Sequence, residues 1–387
     1  MDRRLLFLTV LGTLAVQAYA THFFYLPIAL GRSGFSPAAT GVLLSVYSLA
    51  TTIARPPGSF LTERLGVGKC FLLASILLTL FSVPMAVTRS FTGLFLLRIL
   101  TGLAYGFCMV ALTAFQALAI PEQGRGSAFS WVAAGYVLPQ LILLPFLDWV
   151  FARGYTSPYF WLIPILAAGC AATAAVTPDL PGRGRESREK PSWGTWAEVL
   201  RTPHLVSLLA SWVLFALANS AGLQYIPALL SSRGLTPSLF IIALATTALL
   251  VRLAANRFMD RVPRKKVAGI SICLIGVGTL LVLVSRSNSS LYAFGAIYGL
   301  GMGVGFPTLL ALVPDIFPES LRPKGVAISF FAMDLGWILS PLLVGGVSQA
   351  GGLVAALLIT GLTGLAGGAA IQLRGWRPVR NRPGFGG

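Results

Sequence analysis

Residues 25–37 read YLPIALGRSGFSP, and residues 225–237 read YIPALLSSRGLTP. Tyr25 returns as Tyr225, Pro27 as Pro227, Gly34 as Gly234 and Pro37 as Pro237, each 200 positions on. The echo continues downstream. RPPGSFLTERLGVGK at 55–69 answers RLAANRFMDRVPRKK at 252–266, aligning Arg55 with Arg252, Ser59 with Asn256, Glu63 with Asp260 and Arg64 with Arg261. A phrase recurring at this distance in 387 residues divides the chain into two similar halves.

What each half contains follows from composition. The chain is 56% hydrophobic and 11% charged, where a soluble domain carries about 25% charged residues. Its apolar runs number about twelve, each of roughly 18 residues or more, which is the length of a membrane-crossing helix. The expectation is an all-α integral membrane protein of twelve transmembrane helices in two pseudo-symmetric six-helix bundles. The bundles take residues 1–176 and 204–373. Between them, 177–203 is a Pro/Gly-rich, charged linker with a short interfacial helix at Trp193–Leu200, and 374–387 is a tail. Parallel duplication of this kind builds a pseudo-twofold transporter with its substrate site between the halves. The repeated phrase then closes helices 1 and 7: Pro27 and Pro227 bend each helix at a gate, and Gly-x-Ser/Thr-Pro turns the chain into the next helix.

A net charge of +17 in a soluble protein would point to nucleic acid. Here the distribution excludes it. With the N-terminus inside, 21 of the 29 Lys/Arg fall in segments on one face, among them Arg3, Arg4, Arg64, Lys69, Arg125, Arg322 and Lys324. Arg32, Arg89, Arg153, Arg233 and Arg286 stand singly on the other. This asymmetry predicts a multi-pass membrane protein with both termini cytoplasmic. Residues 2–20 imitate a signal peptide, yet cleavage there would remove most of helix 1 and break the match to the second half. The cysteines Cys70, Cys108, Cys170 and Cys273 are isolated and read as packing residues, with no metal and no cofactor implied.

Ionisable side chains at membrane depth need a reason. Arg55, Arg98, Arg252 and Asp334 lie deep in predicted helices, with His22 in helix 1. Three cations facing one anion make a positive cavity suited to an anionic or zwitterionic solute, because arginine pairs with carboxylate in a two-pronged geometry. The expected substrate-binding residues are therefore Arg55, Arg98 and Arg252 with Tyr25, Gln116, Gln140 and Trp337. Asp334 and His22 are the expected proton carriers. With only His22 and His204 and one deep acid, no catalytic constellation is visible, so an enzyme is not expected. A receptor would bring a soluble domain that the linker is too short to hold.

These features together resemble the major facilitator superfamily. SFLTERLGVGK and NRFMDRVPRKK resemble that family's loop signature after helices 2 and 8, and RILTGLAYG places Arg98, Gly102 and Gly106 as in its helix-4 motif of proton-coupled members. The resemblance implies a conformational latch at Glu63, Arg64, Asp260 and Arg261. Gly102 and Gly106 also have the small-xxx-small spacing that lets helices approach closely. Ala134-x-x-x-Leu138-Pro139 keeps part of the helix-5 antiporter motif and adds Pro139 to the packing and gate residues. SWVAAGYVLPQLILLPFLDW and AMDLGWILSPLLVGG resemble exporters of opine-type metallophores such as staphylopine. The resemblance thus implies a proton-coupled efflux permease of the bacterial inner membrane for a carboxylate-bearing metabolite, and a monomer is expected. Multidrug or sugar efflux and facilitative import are the alternatives, since fold does not fix direction.

Overall fold

The computed structural model describes residues 3–120, 125–180, 194–255 and 264–376. Among them every regular element is helical. The first half contains α1 (Arg3–Arg32), α2 (Pro37–Leu65), α3 (Val67–Val87), α4 (Phe91–Ala119), α5 (Arg125–Ala152) and α6 (Ser157–Ala175). The second contains α7 (Leu205–Ser232), α8 (Pro237–Ala255), α9 (Arg264–Leu283) and α10 (Asn288–Ile316). One further helical stretch, Glu319–Gly375, runs for 57 residues. Gly352 breaks it at φ 83°, giving α11 (322–351) and α12 (353–370). The left-handed backbone there suits glycine, which has no Cβ to clash.

Local chemistry explains why the halves repeat. Gly34 and Gly234 both adopt left-handed φ, 84° and 71°, and end α1 and α7 in the same turn. The Ser36 hydroxyl accepts from the Ala39 N–H at 3.2 Å, and Pro37 starts α2. Ser90 and Ser287, 197 apart, cap α4 and α10 by accepting from Gly93 N and Ser290 N at 3.2 and 3.4 Å. The copies differ at the prolines. Ahead of Pro27 the first copy narrows into a 3-10 turn at Phe23–Tyr25, whereas α7 runs unbroken through Pro227. Large apolar side chains such as Leu80, Ile142 and Leu250 are exposed on the outer helix faces, where a bilayer would cover them. The chain is a multi-pass membrane protein.

The two halves meet at the face opposite the basic loops. There α2 packs on α11 without intervening side chains: Gly41 lies against Pro341 and Gly345, and a Cβ on Gly345 would fall 2.6 Å from the Pro37 carbonyl. Slightly deeper, the Ser45 hydroxyl donates to the Ile338 carbonyl at 2.7 Å. α1 meets α7 chiefly through Phe23–Arg32. Asp148 of α5 ties three elements together, accepting from the Tyr25 hydroxyl at 2.6 Å and from the Ser238 N–H of α8 at 2.8 Å.

The linker's described ends belong to opposite halves. Asp179 accepts from Gly68 N at 2.8 Å and Lys69 N at 3.3 Å, capping α3. Lys324 donates to the Gly194 carbonyl at 2.6 Å, at the start of α11. The short helix is Trp196–Arg201, beginning three residues after the expected Trp193, because Thr195 and Glu198 form a capping box that fixes its start. Hydrogen bonds from Thr195 hold the Glu198 carboxyl below its ordinary range.

Candidate functional site

The site begins with one cross-half contact at mid-helix. Arg55 lies 18 residues into α2 and Asp334 12 residues into α11, and their side chains pair at 2.5 Å. This ion pair joins the halves inside a cavity of about 320 Å³. The first half lines it with Gln17, Phe23, Tyr47, Thr51, Thr52, Arg55, Arg98 and Tyr105, and the second with Asn219, Gln224, Met302, Met333, Asp334 and Trp337. With Phe24 as well, five aromatic rings and three charged groups share one small volume.

The two arginines are held differently. Arg98 is 1% exposed. Its guanidinium lies 4.0 Å from the Tyr47 ring centroid and 4.4 Å from that of Phe23, and its Nε donates to the Leu43 carbonyl at 3.0 Å. Among the described residues its Nη1 has no hydrogen-bond partner. Cation–π contacts of this kind contribute about 0.5–2 kcal/mol each when desolvated. The Arg55 side chain, by contrast, is 39% exposed, with its Asp334 partner at 8%. The accessible positive group of the cavity is therefore Arg55.

The other sequence-predicted residues lie elsewhere. Arg252 sits on α8 outside the cavity, with its Nε buried and unpartnered among the described residues. It therefore leaves the lining one net positive charge rather than two. Tyr25 belongs to the Asp148 closure. Gln116 donates to the Thr13 hydroxyl at 2.8 Å between α4 and α1. Gln140 is on α5 with its Oε1 buried. His22 is fully buried, stacked on Tyr159 at 4.0 Å between ring centroids, and both ring nitrogens lack hydrogen-bond partners among the described residues. Pro139 lies inside α5. Glu63 and Arg64 are exposed at the end of α2, Arg64 over the Phe60 ring at 4.1 Å. Asp260 and Arg261 lie outside the described residues.

Gly102 and Gly106 let α4 approach α2: a Cβ on either would stand 2.7 Å from the Tyr47 or Thr51 carbonyl. That approach places Tyr47, Thr51 and Arg98 in one wall. Sequence reasoning did not single out Phe23, Met302 or Met333, because an apolar residue facing a cavity has the same helical spacing as one facing a neighbour. The Asp148 contact was missed for another reason. An acid near a helix end reads as solvated, and its partner Ser238 lies 90 positions away.

The family model described as Major Facilitator Superfamily matches residues 6–255 and 238–387. Among curated proteins, the chain is 26% identical to a gallate transporter of Pseudomonas putida, over 93% of this chain and 88% of that one. It is 25% identical to a probable 4-methylmuconolactone transporter of Cupriavidus pinatubonensis, over 79% and 74%. Among solved structures, a bacterial homologue of the human lysosomal transporter Spinster, in an inward-facing and unoccupied conformation, superposes with a TM-score of 0.77. That match has 16% identity and covers 97% of this chain and 98% of the other.

Proposed function

Because the chain belongs to the Major Facilitator Superfamily, and is a transporter of small organic solutes rather than an enzyme, we propose that its cargo is a ring-bearing carboxylate moved with protons. The observation that carries this reading is Arg55, an accessible guanidinium at the join of the two halves with Phe23, Tyr47, Tyr105 and Trp337 around it. A guanidinium fixes a carboxylate by charge and geometry together, and the rings give the apolar body of the solute surface to stack on. A cavity of about 320 Å³ suits a single substituted ring. Two relatives are named as a gallate transporter and a probable 4-methylmuconolactone transporter, and gallate is a ring-bearing carboxylate.

Placing the basic loops in the bacterial cytoplasm, as the positive-inside rule does, makes the seam at Asp148 and Gly41 the outer closure. Alternating access then opens that outer seam while the inner ends of the halves close. A second reading is export of a larger polycarboxylate such as an opine metallophore. The unpartnered Nη1 of Arg98 favours it, because a second carboxylate would find a donor there. Purified protein in proteoliposomes with an imposed pH gradient tests both. Gradient-dependent movement of radiolabelled gallate or benzoate, lost in Arg55→Ala, is the expected result. Movement of neither, with a tricarboxylate opine carried instead, would replace the first reading by the second.

A further inference from the structure

We infer that the Arg55–Asp334 pair couples cargo to protons by exchange: the arriving carboxylate takes Arg55, Asp334 takes a proton, and both cross in the same direction. The inference rests on the reading that the cargo is a carboxylate.

The asymmetry of the pair sets the order of events. Arg55 offers its guanidinium to the cavity at 39% exposure, whereas Asp334 is at 8%. An anion entering the cavity therefore meets the cation first. Arg98 does not compete on equal terms, since its guanidinium packs against the rings of Phe23 and Tyr47 and its Nε is committed to Leu43. Once the cargo has claimed Arg55, two carboxylates share one guanidinium in a confined space. Like charges at that range cannot both stay ionised without a large penalty, and the buried one is the one that gains a proton.

The groups around Asp334 leave few other outcomes. Of the charged or titratable side chains lining the cavity, α2 supplies Arg55 and Tyr47, and α4 supplies Arg98 and Tyr105. On the second-half side, α7 and α10 line it with Asn219, Gln224 and Met302, none of which titrates. No second acid among the lining residues can take the proton in place of Asp334.

The exchange balances. Before it, the Arg55 cation and the Asp334 anion cancel. After it, the Arg55 cation and the cargo anion cancel, and Asp334 is neutral with a proton drawn from water. The cavity's charge is the same loaded and empty, so the cargo adds no uncompensated charge as the halves move. Reciprocity then fixes the sign: if the anion raises the proton affinity of Asp334, the proton raises the anion affinity by the same factor. Cargo and proton bind together. The pair is a symport device, and an inward proton gradient drives uptake, the opposite of the export expected from the sequence. Exchange also breaks the α2–α11 bond at mid-helix, leaving the outer seam as the main tie between the halves.

The test is proton counting by calorimetry on the full-length protein in detergent, titrated with benzoate near neutral pH in two buffers of different ionisation enthalpy. The expected result is uptake of about one proton per benzoate bound, with affinity falling about tenfold per pH unit above the titration of Asp334. Asp334→Asn should bind benzoate with no proton uptake and no pH dependence. Binding by the wild type with no proton exchanged, or with a proton released, overturns the inference while leaving the carboxylate reading intact. Failure of the wild type to bind benzoate or gallate overturns that reading, and this inference with it. Should Asp334→Asn not fold, the wild-type proton count still decides.

Discussion

Arg98 shows how much one residue's surroundings decide. A guanidinium buried this deeply, with one hydrogen bond and two rings for company, has at best an even balance between desolvation and attraction. Arg98→Met keeps the volume and removes the charge. We expect it to melt within a few degrees of wild type, or higher, in a detergent thermal-shift assay, while uptake of a carboxylate falls at least about tenfold through loss of the cavity's positive field. A drop in melting temperature of about 10 °C or more would show that the charge stabilises the fold itself. The depth of Arg98 was readable, because a lone arginine in an apolar run has few explanations. Its neighbours were not, since Phe23 and Tyr47 come from two other helices. Arg252 shows the converse. It answers Arg55 in the alignment, at the same offset of 197 that relates the α10–α8 contact to the α4–α2 contact, yet only Arg55 lines the cavity. The second half supplies Asp334 there instead. A duplicated letter need not keep a duplicated role.

At the scale of elements, the repeat is held by matched packing. Gly299 faces the Leu244 carbonyl as Gly102 faces that of Tyr47, 197 positions earlier. Gly102→Val and Gly299→Val should therefore destabilise alike, by roughly 2–4 kcal/mol through forced separation of α4 from α2 and α10 from α8. Comparable loss of monodisperse protein on size-exclusion chromatography would bear this out, and damage in one half only would break the symmetry argument. The Asp148 bridge is the element contact with most leverage on motion. Asp148→Asn removes the charge from two charge-assisted hydrogen bonds, worth about 1.5–3 kcal/mol each. In a background without other cysteines, Leu30→Cys should then react with an impermeant maleimide about tenfold faster or more. An unchanged rate would show that Asp148 does not hold the face shut. The elements themselves were largely legible. A bilayer demands unbroken apolar runs, and caps such as Ser90 and Ser287 announce helix starts locally. Contacts between elements were not, because Asp148 and Ser238 are brought together only by the docking of one half on the other.

At the scale of the whole molecule, twelve helices and a repeated phrase were enough to indicate the architecture, and one ion pair is enough to connect it to work. The halves are tied in two layers, an exchangeable charge pair at mid-helix and a seam at the far end where Gly41 and Gly345 bring backbone against backbone. That seam has a further meaning. Backbone packs on backbone there with no room for a side chain, so the volume of a single substituent at position 41 sets how often the molecule rests in its other posture. Alanine, then valine at Gly41 act as wedges of graded thickness, and Leu30→Cys labelling should quicken stepwise along the series with the cavity chemistry untouched. The resting balance of the transporter thus becomes a dial turned one methyl at a time, far from anything its cargo touches.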